Sequence, residues 1–340
     1  MENSMNRILV TTIVKNAIKN LKADPERTTR NLIDMASRFA DSRFQKQFYG
    51  NIQTMLANEN SAYYALVRDS ISRIDEETLL TFGMNLGYNG LYLGANKIRK
   101  QEQALGFSIP WTVSLTIQEG RVFDPHHKII QQGEKMGIRS WYLFSDHAIH
   151  ECISIANKYP ESAFVIFCGS HEVGGSVLDI ASECRNIALV VPFDKDADVV
   201  CDLLRLSGIL YGICFSYQES DLPALESGEL LEEMQQLHPA VCIFKSKFLC
   251  QDTLRQRVYD WIVKTRMEQK FRTIPYDLYG DVKMVDSVIS EHPIWVGFDE
   301  YGQLNTETGV DRTYGQNIFH NDLPEILKRA FPLSKGSVNP

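Results

Sequence analysis

The sequence predicts an α/β protein, a partial barrel of six βα units preceded by an all-helical region. Two observations carry this. Residues 1–105 place apolar side chains at helical spacing, and from Trp111 onward six short runs rich in Val, Ile and Phe alternate with amphipathic stretches. Near-continuous apolar runs are the mark of parallel strands covered on both faces, and right-handed crossovers curl such units into an open or partial barrel.

The helical region reads in order. Ile13, Ala17 and Leu21 repeat at helical spacing after Leu9. Asp24-Pro25 supplies a cap followed by a proline at the first helical position, and Leu32, Met35, Ala36 and Phe39 continue that second helix on one face. Ser42 with Gln45 forms a capping-box start for a third helix. Tyr63, Leu66, Val67, Ile71 and Ile74 form a fourth stripe, and Asp75 caps the helix after it. Gly83, Gly87, Gly90 and Gly94 then recur, as close-packing positions or as loop punctuation.

The expected strands are 111–117, 140–144, 163–168, 187–191, 210–215 and 241–244, with a strand–turn–strand near 294–304. The predicted boundaries are 1–105 for the helical region, 106–270 for the barrel and 271–340 for a C-terminal extension with a β-hairpin.

Composition narrows the function classes. The 340 residues are 44% apolar and carry a net charge of −8, which argues against a nucleic-acid binder held by phosphate contacts. The charge is uneven: net +3 over residues 1–105 and net −11 over the rest. No apolar run approaches the roughly 18 residues of a membrane span, and MENSMNR does not read as a signal peptide. Seven cysteines, an odd number with no C-x-x-C pair, read as reduced thiols of a cytoplasmic protein. Several sit inside apolar runs as small hydrophobes.

In a barrel of this kind chemistry belongs on the loops after the strands. That places Glu119, Asp146, His147, His171, Lys245 and Lys247 as pocket candidates, with Arg121, Glu172, Asp194, Lys195, Tyr217 and Glu219 completing the strand-end residues. Gly169, Ser170, Gly174, Gly175 and Ser176 form a G-x4-G-G-S run. It is either an anion loop lacking the phosphate-loop lysine or a plain loop with Ser176 as N-cap. Lys245 and Lys247 read as a solvated strand end or as amines for imine chemistry. No zinc or cluster spacing appears and no metal site is expected.

Three segments resemble bacterial radical S-adenosylmethionine (SAM) enzymes: Asn89-Gly90 through Gly94-Ala95-Asn96-Lys97-Ile98-Arg99 to Ile109-Pro110-Trp111; Ile129 to Ile138; and Val296 to Leu304. The resemblance extends over nearly the whole chain. It implies a C-x3-C-x2-C loop after the first strand, whose thiolates hold a [4Fe–4S] cluster, and a glycine-rich turn after the second strand that holds the methionine end of SAM. Here the first loop is Gln118-Glu119-Gly120-Arg121-Val122-Phe123-Asp124 and the second is Leu143-Phe144-Ser145-Asp146-His147. Neither carries the family's motif. The expectation is therefore a degenerate family member with no cofactor, neither a [4Fe–4S] cluster nor SAM. It would act as a non-catalytic partner, scaffold or ligand sensor beside an active radical SAM homologue or peptide-modifying system. The alternatives are an enzyme of another class, acid–base or metal-assisted, at the same mouth, or SAM or nucleotide binding without a cluster.

Overall fold

The computed structural model describes residues 2–21, 23–38, 46, 50, 53–54, 57–120, 124–247, 250–290, 292–307 and 309–333. The chain divides into two compact units, Met1–Thr81 with Val173–Gly280 and Phe82–Glu172 with Asp281–Pro340. The class read from the sequence is the one observed: βα units following a helical N-terminal region. No described helix is long and apolar enough to cross a membrane.

In the unit containing Phe82–Glu172, strands β1 (Thr112–Gln118), β2 (Ser140–Asp146) and β3 (Ala163–Phe167) run parallel. β8 (Gly297–Phe298) pairs parallel with β1, and β9 (Leu304–Thr306) and β10 (Gly309–Asp311) extend the edge antiparallel. The expected strand–turn–strand is thus present. Its turn is tied by Asp299 Oδ1, which accepts the N–H groups of Tyr301 and Gln303. Val113, Leu115, Ile117, Trp141, Leu143 and Ile166 are fully buried on one face and Thr112, Ser114 and Tyr142 are buried on the other, as strands covered on both faces require. Each fully buried apolar side chain contributes about 1.5–3 kcal/mol.

The glycine-spaced stretch is a π-helix, Met84–Gly94, running directly into the α-helix Ala95–Leu105. Its Asn85 and Asn89 donate to the carbonyls of Pro160, Ser162 and Glu161, anchoring the chain before β3. Gly94 is required by packing: a Cβ there would lie 2.5 Å from the Gly137 carbonyl oxygen.

The other unit holds β4 (Ile187–Pro192), β5 (Tyr211–Tyr217), β6 (Val241–Ser246) and β7 (Ile274–Asp277), parallel and in sequence order. The short β7 was not foreseen. It has only four residues, and proline and aspartate replace the Val/Ile run that marks the others.

The helices of this unit include Glu2–Leu21, Pro25–Arg38, Tyr63–Arg73 and Glu76–Gly83, the last reaching past Thr81 by two residues. Asp24 and Asp75 cap as their positions suggested, Asp24 Oδ1 accepting from Arg27 N–H and Asp75 Oδ2 from Glu77 and Thr78 N–H. The Ser42–Gln45 start and Phe39 lie outside the described residues. Of the fourth stripe, Leu66, Ile71 and Ile74 are buried, while Tyr64 takes the buried place expected of Tyr63. Asp69 then accepts from Arg73 Nε and Arg205 Nη1, both at 3.0 Å. The Arg73 guanidinium lies 4.9 Å from the centre of the Tyr211 ring on β5.

Candidate functional site

Parallel pairing in register brings the C-terminal ends of β1, β2 and β3 side by side. Gln118 and Asp146 are register partners, and Gln118 Nε2 donates to Asp146 Oδ2 at 3.0 Å. The next step along the chain repeats the link through the main chain, Glu119 N–H to the Asp146 carbonyl at 3.2 Å.

Between β2 and β3 a single carboxylate joins two turns. Ser145 Oγ donates to Glu172 Oε1 at 2.5 Å while accepting the Ala148 N–H at 2.9 Å. Glu172 Oε2 accepts the Gly169 N–H at 2.7 Å. Both turns therefore present their histidines at fixed positions. His147 Nδ1 and His171 Nε2 stand 3.2 Å apart, with ring centres 4.9 Å apart. His147 adopts a left-handed backbone, φ 58°, which non-glycine residues adopt uncommonly. The His171 ring lies on Gly169, where a Cβ would come within 2.4 Å of its Cε1. Both histidines are exposed, as is Glu119, and Asp146 and Glu172 are half-buried.

The remaining candidates lie in the other unit. Lys245 is half-buried on β6 opposite Ser216 of β5. Lys247 is exposed, and its N–H donates to the Tyr217 carbonyl at 2.9 Å. It lines a cleft of about 770 Å³ with Glu219, Gln251 and Arg257. Arg257 is already paired with Glu226 at 2.6 Å.

The G-x4-G-G-S run divides into two behaviours. Gly169 and Ser170 belong to the turn closed by Glu172, whose own carboxylate takes the Gly169 amide. Gly174 and Gly175 lead into the helix Ser176–Glu183, where Gly175, at φ 48°, is the cap and Ser176 the first helical residue. The expectation of Ser176 as N-cap is corrected accordingly: glycine reaches that backbone geometry without strain.

Sequence reading thus located His147, His171, Glu172 and Asp146 at the strand ends but missed Ser145 and Gln118, which bond to the two carboxylates. The available signal was register. Ser145 lies two positions before His147 and Glu172 one position after His171, and the two become partners only once β2 and β3 are paired.

All seven cysteines are free thiols, six of them buried and Cys214 half-buried. Burial pushes the thiols of Cys184 and Cys214 up to about 11 and those of Cys201 and Cys242 up to about 12, and it raises Cys152 and Cys168 as well. Protonated, buried thiols are poor metal ligands. Among the described residues no group of three or more His, Cys, Asp or Glu gathers to hold a metal ion. The loop after β1 contains no cysteine, so its residues do not fit a three-thiolate cluster.

No protein-family model and no curated protein matches the chain. Solved structures similar to it include Streptococcus suis SuiB (TM-score 0.49, 10% identity, covering 69% of this chain and 70% of that one). SuiB bound to S-adenosylmethionine is similar at TM-score 0.46 and 9% identity, covering 69% and 68%. SuiB bound to precursor peptide SuiA is similar at TM-score 0.47 and 10% identity, covering 69% of each chain.

The expectation of no cofactor, with neither [4Fe–4S] cluster nor SAM, is corrected: among the similar solved structures is one bound to S-adenosylmethionine. The physical reason is that a motif search tests one loop, whereas a nucleoside and an amino-acid tail are held by groups spread along several strand ends.

Proposed function

We propose that this chain, on a βα frame of the radical SAM kind, is a binding partner or ligand sensor in a peptide-modifying system. Its recognition site is the set of turns after β1, β2 and β3, and its ligand there is S-adenosylmethionine. The observation that supports a binding role over acid–base catalysis is the commitment of the carboxylates. Glu172 is held by Ser145 and the Gly169 amide, and Asp146 by Gln118. A general base needs an acceptor position directed at substrate; these two are used to fix turns, and fixed turns make a preorganised mouth. Acidic side chains there, with Glu119 exposed on the neighbouring turn, complement the sulfonium and ammonium charges of SAM.

SuiB is described with SAM and with a precursor peptide, and the test uses SAM as probe. Calorimetric titration of the full chain is expected to give saturable binding, weakened at least tenfold in Asp146→Asn and Glu172→Gln, with SAM recovered unchanged after incubation. Absence of binding, or binding indifferent to both substitutions, overturns the site. A SAM-derived product overturns the non-catalytic reading.

A further inference from the structure

We propose that His147 and His171 form a two-imidazole site for a first-row transition cation such as Zn²⁺ or Cu²⁺. The two nitrogens that face one another are 3.2 Å apart, and the ring centres are 4.9 Å apart. A cation about 2.05 Å from each of two imidazole nitrogens, at a near-tetrahedral angle, sets those nitrogens about 3.2 Å apart and, with about 1.1 Å from nitrogen to ring centre, the centres about 4.9 Å apart. An end-on N–H···N hydrogen bond with the same nitrogen separation places the centres about 5.4 Å apart. The observed centre separation of 4.9 Å matches the shared-cation geometry and is shorter than the linear hydrogen bond would set.

The surroundings hold that arrangement. His147 is presented by a left-handed turn, and the His171 ring rests where only a glycine, Gly169, leaves room. Glu172 ties the two turns together through Ser145 and the Gly169 amide, as outer-shell carboxylates order the ligands of metal sites. Imidazole nitrogen suits Zn²⁺, Cu²⁺, Ni²⁺ and Co²⁺ and not the oxygen-seeking Mg²⁺ or Ca²⁺. With no third His, Cys, Asp or Glu gathered there among the described residues, the other coordination positions are open to water or to a donor atom of a bound molecule. The histidine geometry stands whether or not SAM binds.

The test is titration of the full-length protein with Zn²⁺ by calorimetry and with Cu²⁺ by electron paramagnetic resonance. One site with imidazole nitrogen coupling is expected, its dissociation constant raised at least tenfold by His147→Asn or His171→Asn and unchanged by His150→Asn, an exposed histidine in the same unit. Gly169→Ala, which keeps both imidazoles but displaces one ring, is expected to weaken binding as well. Circular dichroism melts identify any variant that fails to fold, and Gly169→Ala and His150→Asn then decide. No stoichiometric binding, or binding insensitive to the folded variants at 147, 169 and 171, overturns the site.

Discussion

Asp286 Oδ1 accepts the main-chain N–H of Trp111 at 3.0 Å, across 175 residues of sequence. Its Oδ2 accepts that of Ile294 at 2.8 Å. One buried carboxylate thereby holds the residue just before β1 and the approach to β8. Burial raises its pKa to about 7 although both hydrogen bonds favour the ionised form.

Asp286→Ala leaves two buried amides without their acceptor. The expected loss is about 2–4 kcal/mol in urea unfolding. The folded pKa lies above the unfolded one, so this group's contribution is full below about pH 4 and is lost as pH rises toward about 7. Comparing wild type with Asp286→Ala, the wild-type excess in unfolding free energy should shrink over that window; a pH-independent difference contradicts the assignment.

Gly94 and Gly87 make opposite predictions. Gly94 faces the Gly137 carbonyl at close approach, while nothing lies within 4 Å of a Cβ at Gly87. Gly94→Ala should lower stability by about 2–4 kcal/mol through overpacking, and Gly87→Ala should change it by no more than about 1 kcal/mol. Urea midpoints of the two variants check the ranking.

Asp69 links the helix Tyr63–Arg73 to Arg205. Burial works against its ionised form, but the hydrogen bonds from Arg205 and Arg73 prevail and keep its pKa below the usual carboxylate value. Asp69→Ala should cost about 1–2 kcal/mol. The stability it supplies is present above the unfolded carboxylate pKa and is lost as pH falls through the lowered folded value. Urea unfolding from neutral pH down to about pH 3 checks that sign.

The frame was legible where one physical rule dominates. Short apolar runs such as Ala163–Phe167 read as covered strands, and Asp24 and Asp75 announce their helices by chemistry confined to three residues. Gly94 was visible as a glycine but not as a packing requirement, because its partner Gly137 lies 43 positions away. The site was half legible for the same reason. His147 and His171 stand at strand ends that topology marks, yet their approach to one another depends on the Ser145–Glu172–Gly169 bonds, which no local pattern encodes. The cofactor expectation rested on one loop's missing thiolates, a local signal.

Hydrogen exchange on the full chain, with and without saturating S-adenosylmethionine, tests the binding mouth most directly. Slowed exchange is expected at residues 118–120, 145–148 and 169–172, with the cleft lined by Lys247 unaffected. Unchanged exchange throughout, or slowing confined to the Lys247 cleft, contradicts it.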